Sequence, residues 1–363
     1  GGTLFTVSPR VFDLPGQYYF DEYEEILNAP VNEVRASNLF IESVSTYSAG
    51  AAVFIEGRAF VSVENLTAHT LVSERAAAAI MIGGDPVDFS GSNDFPPLNV
   101  HLKNIHIVNT TGFANSGGAI AVYHPSANVS IENMFLKGCT LFGTGGGGCI
   151  AAANGASLRM RNVTMVEPWV YGFGGAALVV ESGATVSATD FHVLAAKAFN
   201  SGVGGAVVVT EPSSLFNCDQ CSFVECSSAD SHGGAVLINS GASASITNSK
   251  FERVRAGRNG GAIMVTDARS SLILTSTVFV SVDAAGVGGA VAVAGGAFLS
   301  ISKTKFLAPT SLNAGGSVNI QNSAGILADC VFNLSRTVSA TGVGGAIACS
   351  NCQLQLFSLQ LSG

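Results

Sequence analysis

Two segments near the amino terminus combine acidic and aromatic side chains, which are the residue types that hold sugars or Ca²⁺. They span residues 8–33 and 85–97. Aromatic rings supply stacking platforms, and carboxylates hold sugar hydroxyls or Ca²⁺. A lid packed on the rest of the chain, or an assembly contact, is the alternative that we favour. The candidate binding residues are Phe12, Tyr18, Tyr19, Asp21, Glu22, Tyr23, Asp85, Asp88, Phe89 and Asp94.

Eight cysteines form a second group of reactive side chains. An even number of cysteines in a chain that looks secreted implies disulfide bonds. Cys139 and Cys149 flank one loop and form one candidate pair, whereas Cys218 or Cys221 is a candidate partner of Cys226. The spacing leaves the full connectivity open. The disulfide candidates are Cys139, Cys149, Cys218, Cys221, Cys226, Cys330, Cys349 and Cys352.

Five Asn-x-Ser/Thr triplets are acceptors for N-linked glycans if the chain passes through a eukaryotic secretory pathway. They begin at Asn65, Asn109, Asn128, Asn162 and Asn333. Asn65 and Asn162 belong to a column of polar residues that we interpret as an inward ladder, and such a ladder excludes a glycan. Asn109, Asn128 and Asn333 fall outside that column and are the better candidates.

A recurring glycine doublet indicates the framework that positions these residues. Two glycines, a small residue and an alternating apolar stretch recur at intervals of 27 to 30 residues. Such a period predicts a stack of coils in which each coil contacts only its neighbours. Glycine suits the corner of a coil because it accepts a positive φ or a close approach of the next coil. The doublets begin at Gly117, Gly147, Gly174, Gly204, Gly233, Gly260, Gly288, Gly315 and Gly344.

A second column keeps the same period, with the pattern apolar-x-apolar-x-polar-x-x-apolar. Apolar residues alternate within each repeat, and no stretch shows helical spacing. We therefore expect an all-β fold, a right-handed parallel β-helix of about 12 coils with about 28 residues and three short strands per coil. It forms a single domain over residues 1–363 that looks like a segment of a longer chain.

Side chains that recur at one position of the coil are expected to contact each other along the stack. Asparagines at the polar position predict a ladder of bonded amides, with an ordinary turn preference as the alternative. The ladder members are Asn38, Asn65, Asn104, Asn133 and Asn162. One aromatic column predicts a ring stack inside the coil, formed by Phe223, Phe251, Phe279, Phe306 and Phe332.

The two acidic-aromatic segments interrupt this pattern at the same corner. The first separates Gly1 from Asn38 by 37 residues, and the second separates Ala77 from Asn104 by 27. Because the two coils concerned are two repeats apart, the insertions should be neighbours, ~10 Å apart. Insertions at one corner of a solenoid commonly form its binding face.

Carboxylates and thiolates do not gather at one point in this arrangement. Glycosidase chemistry needs paired carboxylates, which on a β-helix requires acids stacked on adjacent coils. Asp190 and Asp329 share a register but lie five coils apart, ~24 Å. The two Cys-x-x-Cys pairs are similarly distant and cannot bind one zinc ion. The six His are dispersed. We expect no enzyme, metal site or cofactor; Ca²⁺ at the insertions is the alternative, without support from ligand spacing.

The composition argues against two classes of partner. A net charge of −8 with 17 Lys and Arg leaves no concentrated basic face for nucleic acid. The longest uncharged apolar stretch near the amino-terminal insertions, residues 76–84, is much shorter than the ~20 residues that span a bilayer. The sequence predicts no membrane insertion by this segment.

The repeat Gly-Gly-Ala-Ile/Val followed by a Phe-centred strand resembles the polymorphic outer-membrane protein family. These proteins are surface-exposed β-helical adhesins first known from chlamydiae and also found in protists and algae. The doublet half of the motif recurs in nine coils, from Gly117 to Ile347. Where the family has Phe-x-x-Asn, this chain has sequences such as Phe251-Glu-Arg-Val. The resemblance implies the fold, an extracellular or cell-surface location and adhesion.

These observations predict a non-catalytic extracellular or cell-surface rod, such as part of an adhesin, a matrix protein or a surface filament. Its partners would be other chains or copies of itself, bound through flat uncharged faces or open coil ends. One alternative is a carbohydrate-binding module that uses the insertions to hold a glycan. The other is a polysaccharide lyase or hydrolase of the pectin-lyase-like type.

Overall fold

The chain folds into a stack of parallel β-strands. The computed structural model describes residues 5–7, 32–42, 45–46, 53–55, 59–74, 77–83, 97–113, 117–143, 146–199 and 204–362. No helix occurs in these ranges. Each strand pairs in parallel with the equivalent strands of the coils before and after it. The predicted all-β parallel β-helix is therefore confirmed.

One side of the stack is a twelve-stranded sheet whose strands follow one another in chain order. Each strand has three or four residues, and in most coils one small residue separates it from the preceding glycine doublet. The strands are Phe5–Val7, Val53–Ile55, Ile80–Ile82, Ile120–Val122, Ile150–Ala152, Leu178–Val180, Val207–Val209, Val236–Ile238, Ile263–Val265, Val291–Val293, Val318–Gln321 and Ile347–Ser350.

The second sheet wraps around the rest of each coil. Its strands are long in the early coils: Asn32–Glu42, Ser45–Thr46, Ala59–Ser73, Leu98–Gly112, Ala127–Leu141, Ser157–Val166, Trp169–Val170, Thr185–Leu194 and Lys197–Ala198. Later coils divide it into pieces: Leu215–Asp219, Ser222–Val224, Ser227–Ser228, Ser243–Thr247, Lys250–Glu252, Arg255–Ala256, Ser271–Thr275, Val278–Val280, Asp283–Ala284, Phe298–Ser302, Lys305–Leu307, Thr310–Ser311, Ala324–Ala328, Val331–Asn333, Arg336–Thr337, Gln353–Phe357 and Gln360–Ser362. A later coil thus contains three strands of three to five residues and a two-residue pairing.

A ring stack occupies the core of the later coils, as the sequence predicted. The five phenyl rings Phe223, Phe251, Phe279, Phe306 and Phe332 are fully buried. Successive ring centroids are 4.7 to 5.1 Å apart, and the ring planes differ by 3 to 11°. This spacing matches the distance between paired strands, so each ring packs on the ring of the next coil.

A smaller apolar column lies on the other face of the first sheet. Its members are the central residues of five consecutive strands, Val179, Val208, Leu237, Met264 and Ala292. The alternation of a strand turns these side chains away from the main core, yet each is at most 5% exposed. This part of the first sheet is therefore buried on both faces.

Every coil turns its first corner of the second sheet with a residue in the left-handed conformation. The polar column supplies this residue, with φ between +48° and +56° in all twelve coils. The members are Asn38, Asn65, Asn104, Asn133, Asn162, Asp190, Gln220, Asn248, Ser276, Lys303, Asp329 and Ser358. Asparagine tolerates this conformation better than most residues, which explains its recurrence here.

The predicted asparagine ladder is present, and it lies on the surface. The Nδ2 of each member donates to the Oδ1 of the member one coil earlier, at 2.9 to 3.1 Å, from Asn162 back to Asn38. All five side chains are exposed. The expectation of an inward ladder was wrong, because a left-handed residue at the corner turns its side chain outward while its neighbours fill the core.

The glycine doublets perform both of the roles that the sequence suggested. Gly233 has a φ of +62°, in the left-handed region. At Gly234 an added Cβ would collide with the carbonyl oxygen of Gly261 in the next coil. At this doublet the first glycine thus provides the bend, and the second allows adjacent coils to approach.

Candidate functional site

The candidate binding residues of the two insertions lie outside the described residues. They are Phe12, Tyr18, Tyr19, Asp21, Glu22, Tyr23, Asp85, Asp88, Phe89 and Asp94. Each insertion follows a strand of the first sheet and precedes a strand of the second sheet. Binding of a glycan or of Ca²⁺ by these segments stays a prediction.

The most prominent surface feature of the described residues is an aromatic ridge formed by Phe113, Phe142, Tyr171 and Phe199. Successive ring centroids are 5.4, 4.8 and 4.6 Å apart, with interplanar angles of 17°, 11° and 9°. Phe113 is 50% exposed and Phe142 46% exposed. The four residues are 29, 29 and 28 positions apart in the sequence. This spacing equals the coil period, so a search of the sequence for aromatic residues at that period would have found the ridge.

Main-chain pairing holds the ridge in place. The amide of Phe142 donates to the carbonyl of Gly112 at 2.8 Å, and that of Tyr171 donates to Leu141 at 2.8 Å. The amide of Phe199 donates to Val170 at 3.1 Å. Each ring thus directly follows the last strand piece of its coil, and its position along the axis is fixed by the coil before it.

Trp169 and Lys197 flank the ridge. The Lys197 ammonium lies 5.6 Å from the centroid of the Trp169 ring, in a cation–π contact. Trp169 meets Phe199 edge to face at 5.9 Å. Because the ridge rings stack on one another, their edges rather than their faces point to solvent. A sugar ring stacks on an aromatic face, so the ridge is an apolar contact surface and not a row of sugar platforms.

A second feature that sequence reasoning missed is a carboxyl pair on adjacent coils, Glu181 and Glu211. Burial, and then the charge of Glu211, raises the pKa of Glu181 from its ordinary 4.5 to about 7. Glu211 accepts hydrogen bonds at 3.1 Å from the amide of Ser182 and at 2.9 Å from its hydroxyl. One carboxyl group therefore titrates near neutral pH, while the other is held by two donors. The acids considered from sequence did not include this pair.

Several other acidic side chains bind residues of their own or a neighbouring coil. Asp219 accepts from the Thr247 hydroxyl at 2.7 Å and the Asn248 amide at 2.8 Å, and these two bonds lower its pKa. Asp190 contacts His192 at 2.8 Å. The remaining contacts are Glu225 with Arg253 at 3.1 Å, Asp267 with the Ser240 amide at 3.1 Å, and Asp283 with Arg255 at 3.4 Å and the Thr310 hydroxyl at 2.6 Å. They do not converge on one point.

Two of the disulfides expected from the cysteine count are present, each within one Cys-x-x-Cys sequence. They join Cys218 to Cys221 and Cys349 to Cys352. Pairing of Cys218 or Cys221 with Cys226 was wrong, since the Cys226 thiol is free and buried. In both disulfides the third residue of the four has a positive φ, and this local bend brings the two sulfur atoms together.

Four cysteines remain as buried thiols: Cys139, Cys149, Cys226 and Cys330. The expected partners Cys139 and Cys149 are neighbours without a disulfide. Burial, together with a hydrogen bond and charge interaction with Cys139, raises the pKa of the Cys149 thiol well above its ordinary value. Burial likewise raises the pKa of Cys226 to about 12. Such thiols are poor nucleophiles.

The candidate glycosylation sites differ in their surroundings. Asn65 and Asn162 use their amides in the ladder. Asn109 is exposed at a left-handed corner, and Asn128 is exposed and donates to Asn99 at 3.3 Å. Asn333 is half-buried. Glycosylation of any of them stays a prediction.

Neither sequence comparison identifies a relative. No protein-family model matches the chain, and a search of curated proteins finds no match. No group of three or more His, Cys, Asp or Glu side chains within the described ranges could hold a metal ion. Among the same residues, no helix is long and apolar enough to cross a membrane.

Proposed function

We propose that this chain is a non-catalytic structural rod of an extracellular or cell-surface assembly. One observation carries the proposal: recurring side chains bind the same position in the next coil. The asparagine amides do so on the surface and the phenyl rings do so in the core. Contacts of this kind hold neighbouring coils together along the axis, which is the requirement of a rod under load.

Two further observations support the location. Disulfides such as Cys218–Cys221 and Cys349–Cys352 persist in oxidising compartments outside the cytosol. The Gly-Gly-Ala-Ile/Val repeat resembles the polymorphic outer-membrane proteins, which are surface adhesins. An adhesin shaft, a matrix protein or a surface filament would each use a rod of this kind.

Small-angle X-ray scattering and an activity screen test the proposal together. We expect scattering from a rod of constant cross-section, roughly 55 Å long for twelve coils, and no turnover of acidic or neutral polysaccharides. Turnover that is lost when one surface carboxylate is replaced would contradict the proposal. A globular scattering profile would contradict it independently.

Hydrolysis of a polysaccharide at Glu181 and Glu211 is the second candidate function. The observation that favours it is the pair itself, because glycosidases use two carboxyl groups and general acid catalysis needs one whose pKa lies near the working pH. We rank it second because Ser182 already binds Glu211 through two hydrogen bonds.

A matched pair of variants tests this second candidate. Glu211→Gln would abolish activity in a hydrolase of this type. Asp267→Asn is the control, because Asp267 accepts from the Ser240 amide in the same way two coils later. The assay measures the release of reducing sugar ends from the polysaccharide. No release by the parent protein would exclude the candidate, and so would equal release by the two variants.

A further inference from the structure

The surface column that carries the aromatic ridge continues down the rod with small side chains. The next three members, Ala229, Gly257 and Ala285, form what we name the small-residue valley. Their amides donate to the carbonyls of Ala198, Ser228 and Ala256, at 2.8 to 3.1 Å, so the column is continuous with the ridge. Ala229 and Ala285 are exposed. Leu312, which is 45% exposed, follows the valley.

We propose that two copies of this chain pack antiparallel through this face, with the ridge of each copy in the valley of the other. The inference rests on the proposed function as a structural rod and adds the partner and the surface. A two-fold axis perpendicular to the rod, between the coils of Phe199 and Ala229, relates the copies. This axis places each column opposite the same column of the second copy, with the order of the residues reversed.

Large and small residues face each other at the three inner positions of the column. Phe199 faces Ala229 of the second copy, and Tyr171 faces Gly257 of the second copy. Phe142 then faces Ala285 of the second copy. Farther out, Phe113 meets Leu312 of the second copy, so that an apolar pair closes each end. A ring that protrudes from one copy meets a position without a side chain beyond Cβ, which is the complementarity that interface cores require.

The flanking columns obey the same symmetry. On one side Trp169, Lys197, Ser227 and Arg255 occupy successive coils. The axis places Arg255 of the second copy over Trp169, where a cation–π contact is favourable. The Arg255 side chain is 71% exposed and reaches Asp283 at 3.4 Å, which balances its charge.

On the other side, Gly172 has no side chain and lies between Tyr171 and Phe173, which is 57% exposed. The axis brings Arg258 of the second copy, an exposed side chain, opposite this glycine. A long side chain therefore meets a position without a side chain, as the ring of Tyr171 meets Gly257.

The size of the face suits a second copy better than other occupants. Eight coils from Phe113 to Leu312 give a length of ~34 Å, and three columns with their side chains are ~20 Å wide. The resulting area of roughly 700 Å² per copy is close to the ~800 Å² of a standard stable interface. Sugars need exposed ring faces, which the ridge lacks. Arg255, Asp283 and Arg258 interrupt the apolar surface that a membrane would require.

Sedimentation equilibrium of the 363-residue chain tests the interface. We expect a dimer that Phe142→Asp in the ridge and Ala285→Trp in the valley both weaken, by roughly ten- to a hundredfold in dissociation constant. Phe298→Ser is the control, since Phe298 is 39% exposed but lies on the strand Phe298–Ser302, whereas the ridge column follows the two-residue strand pieces at the other end of the second sheet. Circular dichroism of each variant separates lost dimerisation from lost folding.

Disulfide cross-linking tests the antiparallel register. Phe142→Cys and Ala285→Cys in one chain place the two thiols five coils apart, ~24 Å, so they can join only between copies. We expect a covalent dimer on oxidation of the double variant and none with Phe142→Cys alone. The four native free thiols are buried. Cross-linking by Phe142→Cys alone would indicate parallel packing and overturn the proposal.

Three results would overturn the inference without affecting the proposed rod. They are a monomer at every concentration, a dimer that resists both variants, and binding of phosphatidylcholine vesicles or a glycan array that depends on Phe142. The scattering profile of the Phe142→Asp monomer keeps the two proposals distinguishable. A monomeric rod leaves the structural function standing, whereas a compact particle removes it.

Discussion

The early and late coils hold the same corner with different chemistry. Between Asn38 and Asn162 the corner residues form a surface ladder of amides. Between Phe223 and Phe332 the corner residues form no such ladder, and the core contains the ring stack. The corner φ is nevertheless nearly constant throughout. The backbone path is thus shared, and the side chains that stabilise it are interchangeable.

Buried hydroxyl groups stabilise the corner in three of the late coils, whether or not the corner residue is asparagine. Ser249, Thr277 and Thr304 directly follow the left-handed residue and point inward. Each hydroxyl donates to the carbonyl two residues earlier, at 2.6, 3.1 and 2.9 Å. The bond closes the bend from inside, and the corner residue itself is free to vary between Ser276 and Lys303.

The largest effect on this comparison should come from the ring stack. Phe279→Ala leaves a cavity between two stacked rings, and we expect a loss of about 3 to 5 kcal/mol in unfolding free energy. Urea unfolding measures the loss, and hydrogen exchange should locate it to the late coils. Phe298→Ala, at an exposed ring, is the control. A loss below about 1 kcal/mol would mean that the stack does not stabilise these coils.

Glu181 lies in the coil between the two regions. Its titration should give the second largest change in stability. Its raised pKa means that the folded state binds the proton more tightly. The contribution of Glu181 to the free energy of unfolding is therefore complete below pH 4.5 and is lost as the pH rises through about 7. Glu181→Gln should remove this pH dependence and stabilise the chain by up to about 3 kcal/mol at pH 8.

Denaturant unfolding of both proteins between pH 5 and 8 measures this difference. Glu211→Gln should reproduce part of the effect, because it removes the charge that faces Glu181. Equal pH dependence in the parent protein and in Glu181→Gln would assign the titration to another group.

The asparagine ladder should give a smaller effect that is confined to the early coils. Asn104→Ala removes two amide hydrogen bonds and a residue that tolerates positive φ, and we expect a loss of about 2 kcal/mol. Ser276→Ala at the equivalent late corner should cost less than about 0.5 kcal/mol. Thermal unfolding compares the two. Equal losses would show that the corners depend on the backbone alone.

The smallest effect should come from extending the ladder. Asp190 occupies the next position after Asn162 and contacts His192. Asp190→Asn supplies an amide that can donate to Asn162, so we expect a gain of about 0.5 kcal/mol. The Asn162→Ala background is the control, because it removes the acceptor. A gain that persists in that background would have another origin.

The sequence allowed the stack to be predicted because its evidence is local and periodic. The doublet at Gly233 and Gly234 shows a bend and a close approach, and Phe279 recurs with the coil period. The asparagine at position 104, in the recurring polar column, likewise indicated a turn. In each case the residue type and the period carry the information, without knowledge of the rest of the fold.

The candidate site was predicted less well, because its residues depend on a second corner that the sequence does not mark. This corner also has positive φ, from +51° to +63°, at Thr70, Asn109, Gly138, Glu167, Ala195, Glu225, Arg253, Ser281, Ala308 and Leu334. These residues share no chemical type. Each interrupts the alternation of the strand, so that Val193 and Ala196 both point inward although three positions separate them.

The sequence by itself determined the period, the stacked architecture and the columns that contact each other, because hydrophobic alternation and glycine are read within one coil. Only the tertiary structure decided which columns face solvent, that Cys218 pairs with Cys221, and that Glu181 approaches Glu211. The physical reason is that the left-handed residues at the two corners of the second sheet each shift the alternation by one position. The direction of every side chain beyond them therefore depends on backbone angles, and Phe142 faces solvent while Phe279 is buried.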